Sequence, residues 1–461
     1  MKTKSKILVL ILTLALLCGA VALVTSAATE TSVTAGDLAD KWNAAEDGDT
    51  LTLSEDITYT GETLALAAGK TLTLDLGGHT LTGADATLLS SAGALTVKNG
   101  NIVMGKASAV ATTGGTLNLE ALTVTNTATD DAFPTAIVAV DKTEAVMNNV
   151  YISGKTQIAL WISGGSAVTA DNITVRNTIL PITKQTGRVA VQVDGNNTVT
   201  LTNSLVESVY IGIRFVSNGN DATKNTFLFK DSTLNVTFKN EIEGTNLSSA
   251  AYSAGDVYKI VAEKEAHVAL TLDGSRIIGS NSGKGIAAIG SPSETAMNVT
   301  IRNCRLYMGN WGRSAHTTLE GTNFFFGGSA VAYNAKAYVR ASAGSRSYFT
   351  GALTMTGQDS GSKYEFLTDD AYPLPSYVEL ADFIVGHDCA NYAITTATIK
   401  SVLLAPGETL TAAEALAEIE TFADVSTKVY DADGNLAGVS LGNSVANAVP
   451  AGGKLLFLRD V

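Results

Sequence analysis

Four side chains on three strand-like segments have the types and the spacing to bind a sugar. They are Trp161 in IALWIS, Gln192 and Asp194 in VAVQVD, and Arg214 in YIGIRFV. Every second residue of these segments is apolar, which predicts strands with one buried face and these four side chains on the other. An exposed indole stacks on a sugar ring, whereas guanidinium, amide and carboxylate groups bind hydroxyls or a uronate carboxylate. We therefore treat the four residues as a candidate carbohydrate-binding set.

A purely structural role for the same residues is the alternative. A loop that covers Trp161 would bury the indole, and Arg214 would then pair with Asp194 as a contact that stabilises the fold. If the three segments are equivalent strands of successive units, neighbouring side chains lie about 5 Å apart in either case.

Motifs for other chemistry are missing from the sequence. The four histidines, His79, His267, His316 and His387, are dispersed along the chain, whereas a metal site needs ligands that converge. There is no phosphate-binding loop, no GxSxG, no HExxH and no CxxC motif. We expect no metal and no cofactor, and the catalytic residues, if there are any, are unknown.

A repeat supplies the elements that would position the candidate set. Phrases such as TLDLGGHTLTG, VTADNITVRN and VTIRNCRLYM recur along the chain and align on one turn position. That position is occupied by Gly78, Asn99, Ala121, Asn149, Asn172, Asn203, Asp231, Gly274, Asn303 and Gly321. Glycine, asparagine and aspartate tolerate the left-handed backbone conformation, so we predict a positive φ along this column.

Two apolar columns flank the turn. Two residues before it lie Leu76, Val97, Leu119, Met147, Ala170, Leu201, Phe229, Leu272, Ile301 and Leu319. Three residues after it lie Leu81, Ile102, Val124, Ile152, Val175, Val206, Leu234, Ile277, Leu306 and Phe324. Strands that turn at one residue and bury apolar side chains on both sides predict stacked coils with three parallel sheets. The fold class is therefore all-β, a right-handed parallel β-helix, in which neighbouring turn asparagines form a ladder of amide hydrogen bonds.

The two ends of the chain differ from the repeat. Basic residues, an apolar run from Ile7 to Val24 and small residues after it predict a signal peptide over 1–28. A capping segment at 29–49, with a short helix near 36–46, precedes the β-helix, which we place at 50–395. A small α+β module follows at 400–461, where Thr411 and Glu414 have capping-box spacing.

The net charge of the chain limits the classes of partner that it can bind. The net charge is −13, and loss of the three lysines near the N-terminus makes it more negative. Such a surface repels nucleic acid and anionic lipid, so we expect neither nucleic acid nor membrane as a partner after signal cleavage. The chain should be extracellular, either secreted or associated with a cell surface.

The first coil also resembles a known family. The run DLADKWNAAEDGDTLTLSEDI at 37–57 resembles the N-terminal entry of pectate-lyase-like right-handed β-helix proteins, here of the bacterial secreted or surface type. LDLGGHTLTG at 74–83 is similar to their second coil. The resemblance covers about 36–350 and implies the fold; its members include lyases, hydrolases, adhesins and surface stalks, so it does not imply one activity. The catalytic patterns of the family do not match this sequence.

We interpret the chain as a non-catalytic, adhesin-like protein that binds a polysaccharide or a cell-surface glycan along one lateral face. The alternative is a polysaccharide lyase or glycoside hydrolase that acts on an extracellular acidic polysaccharide. That enzyme would use the same face together with long insertions at 216–225 and 239–256, which could wall a groove.

Overall fold

The computed structural model describes most of the chain. The described residues are 28–128, 133–178, 189–208, 211–216, 224–236, 258–263, 267–279, 284–289, 297–307, 316–325, 335–349, 353–354, 364–387, 395–420, 427–440, 449 and 451–457. All but the last residue of the predicted signal peptide lie outside these ranges. Among the helices that they contain, none is long and apolar enough to cross a membrane.

A short edge strand and one helix precede five regular coils. The elements are β1 (Glu30–Val33), α1 (Leu38–Ala44), β2 (Asp49–Leu53), β3 (Ile57–Tyr59), β4 (Leu64–Leu66), β5 (Thr71–Asp75), β6 (Thr80–Gly83), β7 (Leu89–Ser91), β8 (Ala94–Met104), β9 (Val110–Thr112), β10 (Thr116–Asn126), β11 (Ala136–Asp141), β12 (Glu144–Gly154) and β13 (Ile158–Ser163). The three strands of 11 residues, β8, β10 and β12, run through the turn position itself.

The next coils separate the strands on the two sides of the turn. The elements are β14 (Ala167–Asp171), β15 (Thr174–Asn177), β16 (Val189–Asp194), β17 (Thr198–Thr202), β18 (Leu205–Ser208), β19 (Ile211–Val216), β20 (Lys224–Lys230), β21 (Thr233–Val236), β22 (Tyr258–Glu263), β23 (His267–Asp273), β24 (Arg276–Gly279), β25 (Lys284–Ile289), β26 (Met297–Arg302), β27 (Arg305–Tyr307), β28 (His316–Glu320), β29 (Thr322–Phe325), β30 (Ala335–Ala341), β31 (Arg346–Phe349), β32 (Leu353–Thr354) and β33 (Tyr364–Leu367).

The strands form three sheets, and a regular coil adds one strand to each of them. Sheet I holds β1, β2, β5, the first halves of β8, β10 and β12, and then β14, β17, β20, β23, β26, β28, β30 and β33. Sheet II holds β3, β6, the second halves of β8, β10 and β12, and then β15, β18, β21, β24, β27, β29 and β31. Sheet III holds β4, β7, β9, β11, β13, β16, β19, β22 and β25. Pairing between successive coils is parallel throughout the described strands, so the predicted parallel β-helix is confirmed.

Apolar side chains from the three sheets fill the interior. The inward residues of β13, Ile158, Leu160 and Ile162, are at most 5% exposed, and those of β16 are completely buried. Burying one such side chain contributes about 1.5–3 kcal/mol, so the alternation of apolar residues is the main source of stability.

The turn column adopts the predicted backbone conformation. All ten residues of the column have a positive φ, from 47° at Asp231 to 86° at Gly78. The amide ladder is less regular than predicted. Asn172 Nδ2 donates to Asn149 Oδ1 at 2.7 Å, whereas Asn203 Nδ2 donates to Asp171 Oδ1 at 2.8 Å. The turn side chains thus cross-link the coils, with aspartate as an acceptor as well as asparagine.

Two columns of the alignment need correction. In sheet I, Val97 pairs with Leu74 rather than with Leu76, because the second coil has two additional residues at its turn. In sheet II, Leu306 pairs with Phe325 rather than with Phe324, because one extra residue follows Gly321. Phe324 therefore belongs to the outer column, although it is only 2% exposed.

A buried polar column next to the turn was not predicted. Ser204 N donates to Ser232 Oγ at 2.9 Å, and Ser232 N donates to Ser275 Oγ at 3.2 Å. Cys304 continues the column, since its N–H donates to Asn323 Oδ1 at 2.9 Å. Cys304 is a free thiol, and burial raises its pKa to about 12, which makes the thiol unreactive.

The predicted N-terminal cap is present as α1. Leu38 and Trp42 are buried, and Trp42 Nε1 donates to the carbonyl oxygen of Ala65 in β4 at 2.9 Å. Asp37 precedes the helix and accepts a hydrogen bond from Thr34 N at 2.7 Å. The helix therefore packs over the first coil and is tied to sheet III.

The C-terminal unit begins with a hairpin that joins the β-helix. Its elements are β34 (Ser376–His387), β35 (Thr395–Leu404), α2 (Ala412–Glu420), β36 (Thr427–Tyr430), β37 (Leu436–Ser440) and β38 (Lys454–Phe457). β35 pairs antiparallel with β34 and with β31 of sheet II, and so lies across the predicted boundary between 395 and 400. Thr411 and Glu414 form the predicted capping box, in which Thr411 N donates to Glu414 Oε2 at 2.8 Å.

Candidate functional site

The candidate set lies on three adjacent strands of sheet III. Trp161 of β13 pairs in register with Gln192 of β16, and Gln192 pairs with Arg214 of β19. All three point away from the buried columns of their strands, because their neighbours on both sides are the inward apolar residues. The alternation in the sequence therefore places these side chains in one outer column, one strand spacing of about 4.8 Å apart.

Asp194 joins these side chains into one hydrogen-bond network. Trp161 Nε1 donates to Asp194 Oδ2 at 2.7 Å, and Gln192 Nε2 donates to the same oxygen at 3.0 Å. Arg214 NH1 donates to Gln192 Oε1 at 3.4 Å. The network runs over three coils and fixes the orientation of the indole, the amide and the guanidinium relative to one another.

The members of the network differ in exposure. Gln192 and Asp194 are each 7% exposed, whereas Trp161 and Arg214 are half-buried. Part of the indole packs against the core. The buried pair can orient its neighbours, while Trp161 and Arg214 keep surface with which a ligand can make contact. Most of the insertion at 216–225 and all of 239–256 lie outside the described residues.

A second carboxylate next to Trp161 was missed in the sequence. Asp141 of β11 pairs in register with Ser163 of β13, and Ser163 pairs with Asp194 of β16. Ser163 Oγ donates to Asp141 Oδ1 at 2.8 Å. A signal was available, because AIVAVD and VAVQVD both end in aspartate at the same position of the strand.

Backbone and neighbouring side chains hold Asp141 in place. Its N–H donates to Thr112 Oγ1 at 3.2 Å. A Cβ built on Gly164 would lie 2.1 Å from Asp141 Oδ1, so glycine, with φ of +70°, is required for the close approach. Lys142 Nζ lies 3.9 Å from Oδ2, and the carboxylate side chain is 33% exposed.

The arrangement places polar and charged groups beside an aromatic ring. Among the described residues, no three of the His, Cys, Asp and Glu side chains converge in a way that could hold a metal ion. The groups that the site contains are an aromatic ring face, two carboxylates, an amide and a guanidinium.

Comparisons with known proteins add little to this geometry. No protein-family model matches the sequence, and no curated protein matches it. Among solved structures, the fold is similar to the crystal structure of pectate lyase Pel9A, with 11% sequence identity and a TM-score of 0.36, over 62% of this chain and 70% of that chain. A likeness of this size transfers no residue role, so the function has to be argued from the residues of sheet III.

Proposed function

We propose that the chain is an exported, non-catalytic β-helix protein that binds a glycan on the outer face of sheet III. The observation that carries the proposal is the row formed by Trp161, Gln192 and Arg214 on adjacent strands, joined through Asp194. A glycan is an extended chain of rings with apolar faces and hydroxyl edges, and this row offers both kinds of contact at a fixed spacing.

The fixed geometry of the row supports binding. The cost of ordering a side chain on association is about 0.5–1.5 kcal/mol, and hydrogen bonds inside the protein remove most of it for Trp161 and Gln192. A rigid strand scaffold holds the row in register, which suits a repeating ligand.

A hydrolase is the second candidate, and one observation favours it. Asp141 and Asp194 lie in the same outer column, two strands apart, so their Cα atoms are separated by about 9.5 Å. Inverting glycosidases place two carboxyl groups about 6.5–9.5 Å apart, one of them protonated as the general acid. The Cα separation is comparable with that range because both aspartate side chains leave the same face of the sheet. Trp161 lies between the two strands that carry these aspartates.

The hydrogen bonds of Asp194 favour binding over hydrolysis. Trp161 Nε1 and Gln192 Nε2 both donate to Oδ2 of Asp194, which suits an ionised acceptor rather than a general acid. Asp141 likewise accepts a hydrogen bond, from Ser163. In this arrangement Asp194 orients Trp161 and Gln192, and the Asp141 side chain, which is 33% exposed, can accept a hydrogen bond from a glycan hydroxyl group.

A calorimetric screen of the purified chain against neutral and acidic polysaccharides tests the proposal, with reducing-end release measured in parallel. Trp161→Ala should weaken glycan binding by about 1–3 kcal/mol. Tyr151→Ala is the matched control, because Tyr151 is a half-buried aromatic residue on the outer face of sheet II. Equal effects of the two variants would overturn the site, and release of products that stops in Asp194→Asn would establish the hydrolase instead.

Export is part of the same proposal and has its own test. The basic residues, apolar run and small residues before Thr29 support cleavage after residue 28. Mass spectrometry of the protein from the culture medium should then find an N-terminus near Thr29. A chain that starts at Met1 and stays in the cell would overturn export without touching the glycan site.

A further inference from the structure

Asp141 lies one coil before Trp161, on the side that faces away from Arg214, in the outer column next to the row and in line with Asp194. Asp141 pairs in register with Ser163, two residues after Trp161. On the other side, Asp194 lies one strand beyond Ser163. A sugar ring that stacks on Trp161 therefore has a carboxylate on the strand before it and another on the strand after it.

These two carboxylates are fixed rather than mobile. Asp194 Oδ2 accepts hydrogen bonds from Trp161 and Gln192. Asp141 Oδ1 accepts one from Ser163 at 2.8 Å, and the missing side chain at Gly164 leaves room for that oxygen. Asp141 is the more exposed of the two, with a side chain that is 33% exposed.

Charge then decides which sugars fit beside Asp141. The hydroxyl groups of a neutral sugar donate to a carboxylate and form charge-assisted hydrogen bonds. The carboxylate of a uronate has no proton to donate and meets the negative charge of Asp141, which costs binding free energy. Lys142 Nζ lies 3.9 Å from Asp141 Oδ2, but its side chain is 69% exposed, so this ion pair offsets the charge only in part. Arg214 lies two strands beyond Trp161, and its NH1 donates to Gln192 Oε1.

We infer that Asp141 is a specificity-determining residue, which makes the face of sheet III select neutral glycans over uronic-acid polymers. The inference rests on the proposed function and adds the class of ligand to it. Asp141 accepts hydrogen bonds from hydroxyl groups of the sugar next to the one on Trp161, and its negative charge disfavours a uronate there.

Matched oligosaccharides test the selectivity. The probes are gluco- and galacto-oligosaccharides and their counterparts of the same length and linkage that carry carboxylates at C6. Calorimetry at low and at moderate salt should find the better neutral probe bound at least tenfold more tightly than its acidic counterpart. The preference should shrink as salt screens the repulsion.

Two variants assign the effect to Asp141. Asp141→Asn keeps the shape and removes the charge, so the neutral-to-acidic ratio should fall roughly tenfold. Ser163→Ala removes the anchoring hydrogen bond but keeps the charge, so it should weaken neutral binding and leave the ratio near that of the unchanged protein. Thermal melts establish that both variants are folded.

The outcomes separate this inference from the proposed function. If no probe binds, or if Trp161→Ala changes nothing, the glycan site itself falls. If the acidic probe binds more tightly in a manner that depends on Trp161, the site stands and the selectivity is overturned. An unchanged neutral-to-acidic affinity ratio in folded Asp141→Asn would show that Asp141 does not determine the selectivity.

Discussion

The indole of Trp161 and the carboxylate of Asp194 are 33 residues apart in the sequence and 2.7 Å apart in the fold, measured from Nε1 to Oδ2. The two residues lie on adjacent strands of sheet III. Because Asp194 is almost completely buried, this hydrogen bond ties the half-exposed ring to a fixed point of the scaffold. The orientation of Trp161 is therefore set before any ligand arrives.

Trp161→Phe distinguishes the contribution of the aromatic ring from that of the indole hydrogen bond. The variant keeps an aromatic face but removes the N–H that donates to buried Asp194, so the free energy of unfolding should fall by about 1–3 kcal/mol. Urea denaturation measures that loss, and calorimetry measures glycan affinity, which should fall less than in Trp161→Ala. Equal losses of affinity in the two variants would show that the ring face does not bind the glycan.

Asn203→Val tests the left-handed turn. Asn203 has a φ of 50°, which a β-branched residue adopts only with strain, so the variant should lose about 1–3 kcal/mol of stability. Asn203→Gly is the control, because glycine tolerates this φ and removes only the exposed hydrogen bond to Asp171. Chemical denaturation should rank glycine well above valine. The reverse order would contradict strain as the cause.

Ser232→Ala tests the buried serine column. The variant removes the acceptor of Ser204 N, which lies 2.9 Å from Ser232 Oγ, and leaves that buried N–H without a partner at a cost of about 1–3 kcal/mol. Ser232→Cys should recover part of the loss, since Cys304 occupies the equivalent position. The half-buried neighbour Thr233 serves as the control, and Thr233→Ala should change the unfolding midpoint little. A larger effect at Thr233 would contradict the column as a source of stability.

Acid should weaken the contact between the last coil and the C-terminal unit. Glu408 Oε1 accepts a hydrogen bond from Gly344 N at 2.8 Å, and Oε2 lies 3.0 Å from Arg346 NH1. The Gly344 hydrogen bond, aided by Arg346, lowers the pKa of Glu408 from its ordinary value of 4.5. A carboxyl group whose pKa is lowered in the folded state stabilises the fold above its unfolded-state pKa. This contribution is lost as the pH falls through the folded-state pKa.

Thermal melts of Glu408→Gln measure this effect. The variant should melt below the unchanged protein at pH 7, and the two curves should approach each other as the pH falls below the ordinary glutamate range. A difference that widens on acidification would mean that Glu408 is not bound as an ionised carboxylate.

Backbone conformation was the part of the fold that the sequence determined most directly. A left-handed residue excludes most side chains, so the column through Asn99, Asn149 and Asn203 is visible in the residue types alone. The serine column was equally visible, because Ser204, Ser232 and Ser275 each follow a turn residue, but its buried hydrogen bonds needed the structure.

Small insertions at the turns escaped detection for a physical reason. Leu74 and Leu76 are both completely buried, as are Phe324 and Phe325 to within 2%. A shift of one or two residues therefore leaves an apolar residue in each column and changes no residue type. Phe324 stacks on Tyr348 on the outer side of sheet II, with ring centroids 4.9 Å apart, and Tyr348 Oη donates to Glu418 of α2 at 2.6 Å. Phe324 thus packs against a residue of the next coil, and that residue is in turn hydrogen-bonded to a unit far along the chain.

The sequence predicted which face of the sheet carries the candidate side chains, but it did not predict their contacts. Alternation placed Trp161, Gln192 and Arg214 on one face, yet it could not show that Gln192 and Asp194 are almost completely buried. Burial on an outer face depends on what lies over the sheet, which the pattern of one strand does not encode.

The antiparallel pairing of β35 with β31 ends the parallel stacking of strands in sheet II. In a parallel stack the last strand of a sheet is a template on which an identical coil of another molecule can continue in the same sense, as in a growing filament. At β31 the template is already occupied by a strand that runs the opposite way, and Ser401, Val402 and Leu403 are buried there. The edge of sheet II is thereby closed to a strand of another molecule, which opposes end-to-end polymerisation.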